Sequence, residues 1–181
     1  MKKSLIFIVF IIATSFLNAQ VSYNPFVSDG QINPAPILPL EFNGTGELSF
    51  NVGNTGSTPL ALVTNEEMQL RITLSFGVPN NIDPIAAVGG PWKAYFNWTY
   101  DSGTNTYFAI QNQEIPASSQ GGITIQYKVT INSFLSSSPT IQNGFNINLQ
   151  PPPYTNGNGN DTNDDSVSSY TYVQAFDYGD I

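Results

Sequence analysis

Five segments of this chain alternate apolar and polar residues at every second position, and this period limits the fold more than any other feature. One of the two nine-residue segments is "ITIQYKVTI", residues 123–131, in which every odd-numbered residue is apolar. Successive side chains of a β-strand point to opposite faces, so each segment is predicted to be a half-buried strand of an antiparallel sheet. The other four segments are residues 48–52, 68–76, 96–100 and 145–149.

Turn-forming residues separate these segments. The stretch "TYDSGTNTYF" is predicted to be a β-hairpin with residues 101–105 as its loop, and "EIPASSQGG" leads into the long strand that contains residues 123–131. Residues 150–166 are the most loop-like part of the chain, and a last strand over about 167–173 follows them. About seven or eight short strands with frequent turns predict an all-β antiparallel sandwich over residues 41–175, with a barrel as the alternative.

The glycine-rich corner "NVGNTGSTPL", residues 51–60, raises the question of an anion-binding loop. A phosphate cradle needs glycines that lead into a helix, with a lysine close by. Here a strand precedes the glycines, no helical pattern follows, and the nearest later cation is Arg71. The stretch is therefore predicted to be a turn in which Gly53 and Gly56 adopt positive φ and Asn54 tolerates the same region.

The N-terminal stretch "MKKSLIFIVFIIATSFLNAQ" has the order of a secretory signal. Two lysines precede an apolar run over residues 5–16, and small and polar residues follow up to Ala19. This order predicts a cleaved signal peptide at 1–19 and export to the periplasm, the cell surface or the extracellular space. An uncleaved N-terminal anchor is the alternative.

Two further segments flank the predicted sandwich. Residues 20–40 contain several prolines, and the overlapping stretch 31–42 is predicted to suit a sheet edge, where it would donate or cover a strand. Residues 176–181 are predicted to form a C-terminal tail.

The charge balance restricts the partners of the chain. All thirteen acidic residues follow the predicted signal peptide, whereas only three basic residues do so, namely Arg71, Lys93 and Lys128. Such a chain repels nucleic acid and anionic membrane surfaces, so neither is a predicted partner. No segment after the signal is apolar enough to predict a membrane span.

The chain contains no histidine and no cysteine. Serine–histidine–aspartate catalysis and zinc or copper sites built from imidazole or thiolate are therefore excluded. A carboxylate-based hydrolase needs two acids that face each other across a cleft. Glu66 and Glu67 are neighbours that would point to opposite faces of a strand, while Asp101 and Glu114 lie at a hairpin tip and before a loop. The sequence thus predicts no catalytic residues and no enzyme.

The best candidate for a metal site is an acidic tract near the C-terminus. Calcium takes about six to eight oxygen ligands, and a flexible loop rich in glycine and asparagine can supply them. The spacing does not match an EF-hand, and the alternative is a solvated turn, where Asn and Asp bond their own backbone. The predicted calcium ligands, with no other cofactor, are Asn158, Asn160, Asp161, Asn163, Asp164 and Asp165.

The stretch "PWKAYFNWTYDSGTNTYF" is the best candidate for a binding surface. As a continuous strand it would place Trp92, Phe96, Trp98 and Tyr100 on one face and Tyr95 on the other. A flat row of exposed aromatic rings stacks on sugars, whereas the same spacing also serves a sandwich core. The core is predicted for Phe96 and Trp98, while Trp92 and Tyr95 are the predicted ligand-binding residues of an alternative function, a carbohydrate-binding module.

Four motifs follow one another along residues 48–173, namely "LSFNVGNTGSTPL", "FNWTYDSGTNTYFAI", "IPASSQGGITIQYKVTI" and "NGNDTNDDSVSSYTYV". In this order they resemble the bacterial cell-surface repeat domains of the DUF11 and CARDB type. The resemblance implies an immunoglobulin-like sandwich that acts as a structural or adhesive module, with a protein or polysaccharide partner at the cell surface and no catalytic residues. The chain departs from the family at residues 120–122, "QGG", where the family has one glycine and a small residue.

Overall fold

The computed structural model describes residues 23–33, 44–64, 67–75, 77–130, 140–150 and 166–174. The predicted signal peptide, the predicted calcium ligands and the predicted C-terminal tail lie outside these residues. Among the described residues, no helix is long and apolar enough to cross a membrane.

The described strands form two antiparallel sheets. In chain order they are β1 (Pro25–Asn33), β2 (Thr45–Asn54), β3 (Gln69–Leu74), β4 (Gly77–Pro79), β5 (Val88–Gly89), β6 (Phe96–Asp101), β7 (Thr106–Gln111), β8 (Ser119–Val129), β9 (Thr140–Gln150) and β10 (Ser166–Gln174). The first sheet has the order β1–β2–β8–β4, and β5 also pairs with β8. The second sheet has the order β10–β9–β3–β7–β6.

This topology confirms the predicted fold, an immunoglobulin-like antiparallel sandwich of two sheets rather than a barrel. Each of the five alternating segments overlaps a strand, and in β2, β3 and β8 the period of two reflects a buried face and a more exposed one. The described strands exceed the predicted number partly because β4 and β5 are only three and two residues long. Elements of that length are too short to show a period in the sequence.

Strand β1 lies in the segment that the sequence analysis placed before the sandwich. It pairs with β2, but the register shifts between Ser28 and Gln31, and Asp29 has a φ of 53°. This bulge interrupts the alternation of apolar residues, so the sequence pattern did not indicate a strand. Residues 31–33 of the stretch predicted to suit a sheet edge belong to β1, which is one edge strand of the first sheet.

The core lies between the two sheets and is built from the inward residues of β2, β3, β7 and β8. Burial of each large apolar side chain contributes about 1.5–3 kcal/mol to folding, so the facing sheets stabilise one another. The largest fully buried side chains are Tyr107, Tyr127, Leu48, Leu60, Met68, Leu70, Ile72, Leu74, Ile115, Ile123 and Ile125.

The corner that follows β2 is a turn, as predicted, but not for the predicted reason. Gly53 and Asn54 are the last residues of β2, and Gly90 is the described glycine with a positive φ. The prediction of positive φ at Gly53 and Gly56 is therefore wrong. Gly53 lacks a side chain for a different reason, because a Cβ there would overlap the backbone carbonyl of Ser119 on the neighbouring strand.

Candidate functional site

The aromatic stretch begins with a turn rather than a strand. Residues Lys93–Tyr95 form one turn of 3-10 helix, and β6 starts only at Phe96. A 3-10 helix has about three residues per turn, so side chains three positions apart lie above one another. The rings of Trp92 and Tyr95 accordingly stack, with centroids 4.6 Å apart and planes at 21°. The prediction that these two residues lie on opposite faces is wrong.

The Trp92 indole packs against Gly121 of strand β8, where the strand has no side chain. Gly90 makes the preceding turn with a φ of 94°, and the Trp92 N–H donates to the Gly122 carbonyl at 3.3 Å. A Cβ on Gly121 would overlap the indole, so only glycine leaves room for this ring. Trp92 and Tyr95 are therefore half-buried and packed against the core. Their role in ligand binding stays a prediction.

An open cleft of about 490 Å³ is lined by neighbours of this pair in the chain, among them Pro91, Lys93 and Phe96, but not by the Trp92 and Tyr95 rings. Phe96 is buried, as predicted for a core residue, and Trp98 is half-buried and packs edge-on against Phe96 and Tyr107. The Trp98 indole N–H donates to the Lys93 carbonyl at 3.0 Å, so the exposed part of this ring is apolar. The cleft walls include Ile85, Pro91, Lys93, Phe96, Trp98 and Asn112.

Ile85 in the cleft wall belongs to a short 3-10 turn, Pro84–Ala87, which hydrogen bonds hold in place. The Asp83 carboxylate accepts from the Ile85 N–H at 3.0 Å and caps the turn. The Tyr107 hydroxyl donates to the Pro84 carbonyl at 2.9 Å. Burial, with smaller contributions from Tyr100 and Asp83, raises the pKa of Tyr107 far above its ordinary value, so this donor stays protonated.

Lys93 is the titratable side chain in the cleft wall. Its ammonium group donates to the Ile85 carbonyl at 3.0 Å. Within the described part of the chain, no carboxylate forms an ion pair with Lys93. The cleft therefore combines an apolar, aromatic floor with one cation that has no acidic partner there.

The hairpin between β6 and β7 is confirmed, and Asp101 stabilises its tip. The Asp101 carboxylate accepts from the Gly103 N–H at 2.9 Å and from the Thr104 hydroxyl at 2.7 Å. The Thr104 and Gly103 hydrogen bonds hold the pKa of Asp101 below its ordinary value. Both oxygens of this carboxylate are used within the turn.

Among the described residues, no three acidic, histidine or cysteine side chains lie close enough together to hold a metal ion.

The sequence did not indicate that β6 is the last strand of its sheet. Period-two alternation identifies the two faces of a strand but carries no information about its neighbours. Within the described residues, β6 pairs with β7 on one side and with no strand on the other. The cleft lies beside residues 96–98 of this strand, so the candidate site consists of a sheet edge and an adjoining aromatic cleft.

No protein-family model matches this chain. No curated protein matches it either.

Solved structures resemble the chain at low identity. The CARDB domain of the PF1109 protein from Pyrococcus furiosus, in complex with di-metal ions, is 9% identical with a TM-score of 0.45, over 87% of this chain and 96% of that domain. BcpA, the major pilin subunit of Bacillus cereus, is 13% identical with a TM-score of 0.44, over 83% of this chain and 40% of the pilin. A chain of a cohesin–dockerin complex from Clostridium thermocellum is 9% identical with a TM-score of 0.47, over 88% of this chain and 97% of that chain. The first of these is a domain of the CARDB type that the sequence motifs resemble.

Proposed function

We propose that this chain is an exported, non-enzymatic module of the bacterial cell surface, with a structural or adhesive role of the DUF11-like type. Its rigid sandwich holds one binding site in fixed geometry and presents it to a protein or polysaccharide partner. The order of charged, apolar and small residues over 1–19 supports export. The acidic composition supports a partner other than nucleic acid or an anionic membrane.

The observation that carries this proposal is the composition of the candidate site. The cleft is open and largely apolar, and its wall contains one titratable side chain, Lys93. Acid–base or nucleophilic chemistry needs several convergent groups with matched pKa values. Asp83 and Asp101, the nearest described acids along the chain, use their carboxylates to hold turns. A surface of this kind suits recognition better than catalysis.

The test of this function is the location and processing of the chain in its native host. With an epitope tag after Ile181, we expect protease added to intact cells to remove the tag, and N-terminal sequencing to begin at Gln20. In the control Ile11→Lys a charge interrupts the apolar run, so this variant should stay inside the cell uncleaved. A wild-type chain found only in the cytoplasm with residues 1–19 attached would contradict the proposal.

The alternative is a carbohydrate-binding module that uses Trp92 and Tyr95. Two stacked, half-exposed rings next to a cleft favour this alternative, because aromatic faces pack on sugar rings. Retardation of the protein in gels that contain a soluble polysaccharide, lost in Tyr95→Ala, would support it.

Calcium binding by the tract at 158–165 stays a prediction, because its residues lie outside the described ones. At a calcium concentration of about ten times Kd, binding stabilises the folded chain by about 1.4 kcal/mol. For a domain of this size we expect the midpoint of thermal unfolding to rise by about 3–6 °C over its value in chelator. The double variant Asp164→Asn, Asp165→Asn should lose this shift. An unchanged midpoint in the wild-type chain would refute the calcium site.

A further inference from the structure

The described sheets differ in how their edges are protected. Natural edge strands are shortened, bulged or covered, because a free edge pairs with other chains. Strand β1 is bulged at Asp29, β4 is three residues long and ends at Pro79, and β5 has two residues. Strand β10 contacts β1 of the other sheet. Strand β6, "FNWTYD", pairs with β7 over six residues in unbroken register and contains no proline, glycine or lysine.

Two hydrogen bonds determine which backbone groups of β6 face its open side. The Gln111 N–H donates to Met68 on the β3 side at 2.8 Å, whereas the Asn112 N–H donates to Tyr95 on the β6 side at 3.0 Å. Residues of an antiparallel pair alternate between bonded and non-bonded positions. Phe96 is paired with Gln111 and is therefore a non-bonded position, as are the residues two and four places further along β6.

Trp98 and Tyr100 thus direct their backbone N–H and C=O groups away from β7. Within the described residues, no backbone hydrogen bond outside the strand ladders involves either residue. The Phe96 N–H is already used, since it donates to the Lys93 carbonyl. Trp98 and Tyr100 consequently offer two donors and two acceptors from alternate residues, which is the pattern that a further strand requires.

The cleft adds side-chain selectivity to this edge. It lies beside residues 96–98, where the first side chain of an added strand would fall, and its floor is aromatic. Lys93 in its wall has no acidic partner among the described residues. Asp83 and Asp101 lie on the flanking turns, but hydrogen bonds to backbone or hydroxyl groups engage their carboxylates. A partner with one acidic residue complements the cation, whereas the acidic chain repels a strongly acidic partner.

We propose that the open edge of β6 binds an extended peptide segment of another protein as an additional strand. The segment places one apolar side chain in the cleft and one acidic side chain against Lys93. Main-chain hydrogen bonds to Trp98 and Tyr100 provide affinity, and the cleft provides specificity. This inference rests on the proposed function and names its partner as a peptide strand.

The test selects binders from a library of random twelve-residue peptides displayed on phage, with the exported chain as target. We expect the selected peptides to share a single acidic residue within a stretch of alternating apolar residues. The strongest synthetic peptide is then titrated while amide hydrogen exchange is followed by NMR. Exchange of the Trp98 and Tyr100 amides should slow by about tenfold or more at saturation, because both become hydrogen-bonded.

A matched pair of variants tests the role of charge. Lys93→Gln should weaken binding of the acidic peptide by about two- to fivefold, as expected for one partly exposed ion pair, and should not affect the peptide whose acid is replaced by its amide. Lys128→Gln removes the same charge from the other sheet and should leave both affinities unchanged. The inference is overturned if no peptide is recovered, if binders leave both amides unprotected, or if Lys93→Gln and Lys128→Gln behave alike. A surface-exposed chain that fails this test keeps its proposed function, whereas a chain retained in the cytoplasm loses that function regardless.

Discussion

Gly121→Ala is expected to destabilise the sandwich by about 1–3 kcal/mol, the usual cost of overfilling a packed site. The new methyl group would occupy the position of the Trp92 indole. The indole cannot move freely, because it stacks on the Tyr95 ring and the Trp92 backbone N–H donates to the Gly122 carbonyl. Urea denaturation followed by circular dichroism measures the loss as a lower midpoint at an unchanged slope.

The adjacent glycine provides a matched control. A Cβ on Gly122 meets Asn51 Oδ1 at 3.7 Å, an ordinary van der Waals distance. Gly122→Ala should therefore change stability by less than about 1 kcal/mol, with a gain from reduced freedom of the unfolded chain. The double variant Gly121→Ala, Trp92→Ala should lose less unfolding free energy than the two single variants lose together, because the clash is absent without the indole. Equal costs for the two glycine variants would contradict the placement of Trp92.

These two glycines show where sequence reasoning reaches its limit. The alternation in β2, β3, β6 and β8 is a local property, so the faces of these strands and most of the core could be predicted from it. The role of Gly121 depends on Trp92, about thirty positions earlier in the chain, and on the pairing that brings the two together. The glycine pair is visible in the sequence as a departure from the surface-repeat motifs, but its physical reason lies in the pairing of distant segments.

The prediction that Trp92 and Tyr95 lie on opposite faces is wrong for a related reason. The predicted alternation begins at Trp92, whereas the chain first makes a turn of 3-10 helix and becomes extended only at Phe96. One change of period reversed the predicted relation between Trp92 and Tyr95. The open edge of β6 could not be predicted from the sequence either, because the order of strands depends on the pairing of the whole sheet. The hairpin that contains Asp101 was predictable, since turn residues act on their own backbone.

The corner after β2 depends on one buried amide. Asn54 is fully buried, and its carbonyl oxygen accepts from the backbone N–H groups of Asn24 at 2.9 Å and Gly56 at 3.0 Å. Its amide nitrogen donates to the Thr58 carbonyl at 2.8 Å. One side chain thereby joins the start of β1, the end of β2 and the turn that follows. This clamp gives Asn54 a structural role in the stretch "NVGNTGSTPL", because the Gly56 N–H that donates to its side chain lies only two residues later.

Asn54→Ala should therefore cost about 3 kcal/mol, because it leaves buried donors and an acceptor without partners at about 1–3 kcal/mol each. Asn51→Ala is the matched control on the same strand, since its amide makes an exposed hydrogen bond to the Asp29 carboxylate. That variant should lose less than about 1 kcal/mol, because exposed hydrogen bonds exchange readily with water. Urea midpoints of the two variants, compared at equal slope, measure the difference in their free energies of unfolding. If Asn54→Ala costs no more than Asn51→Ala, the Asn54 amide does not stabilise the corner.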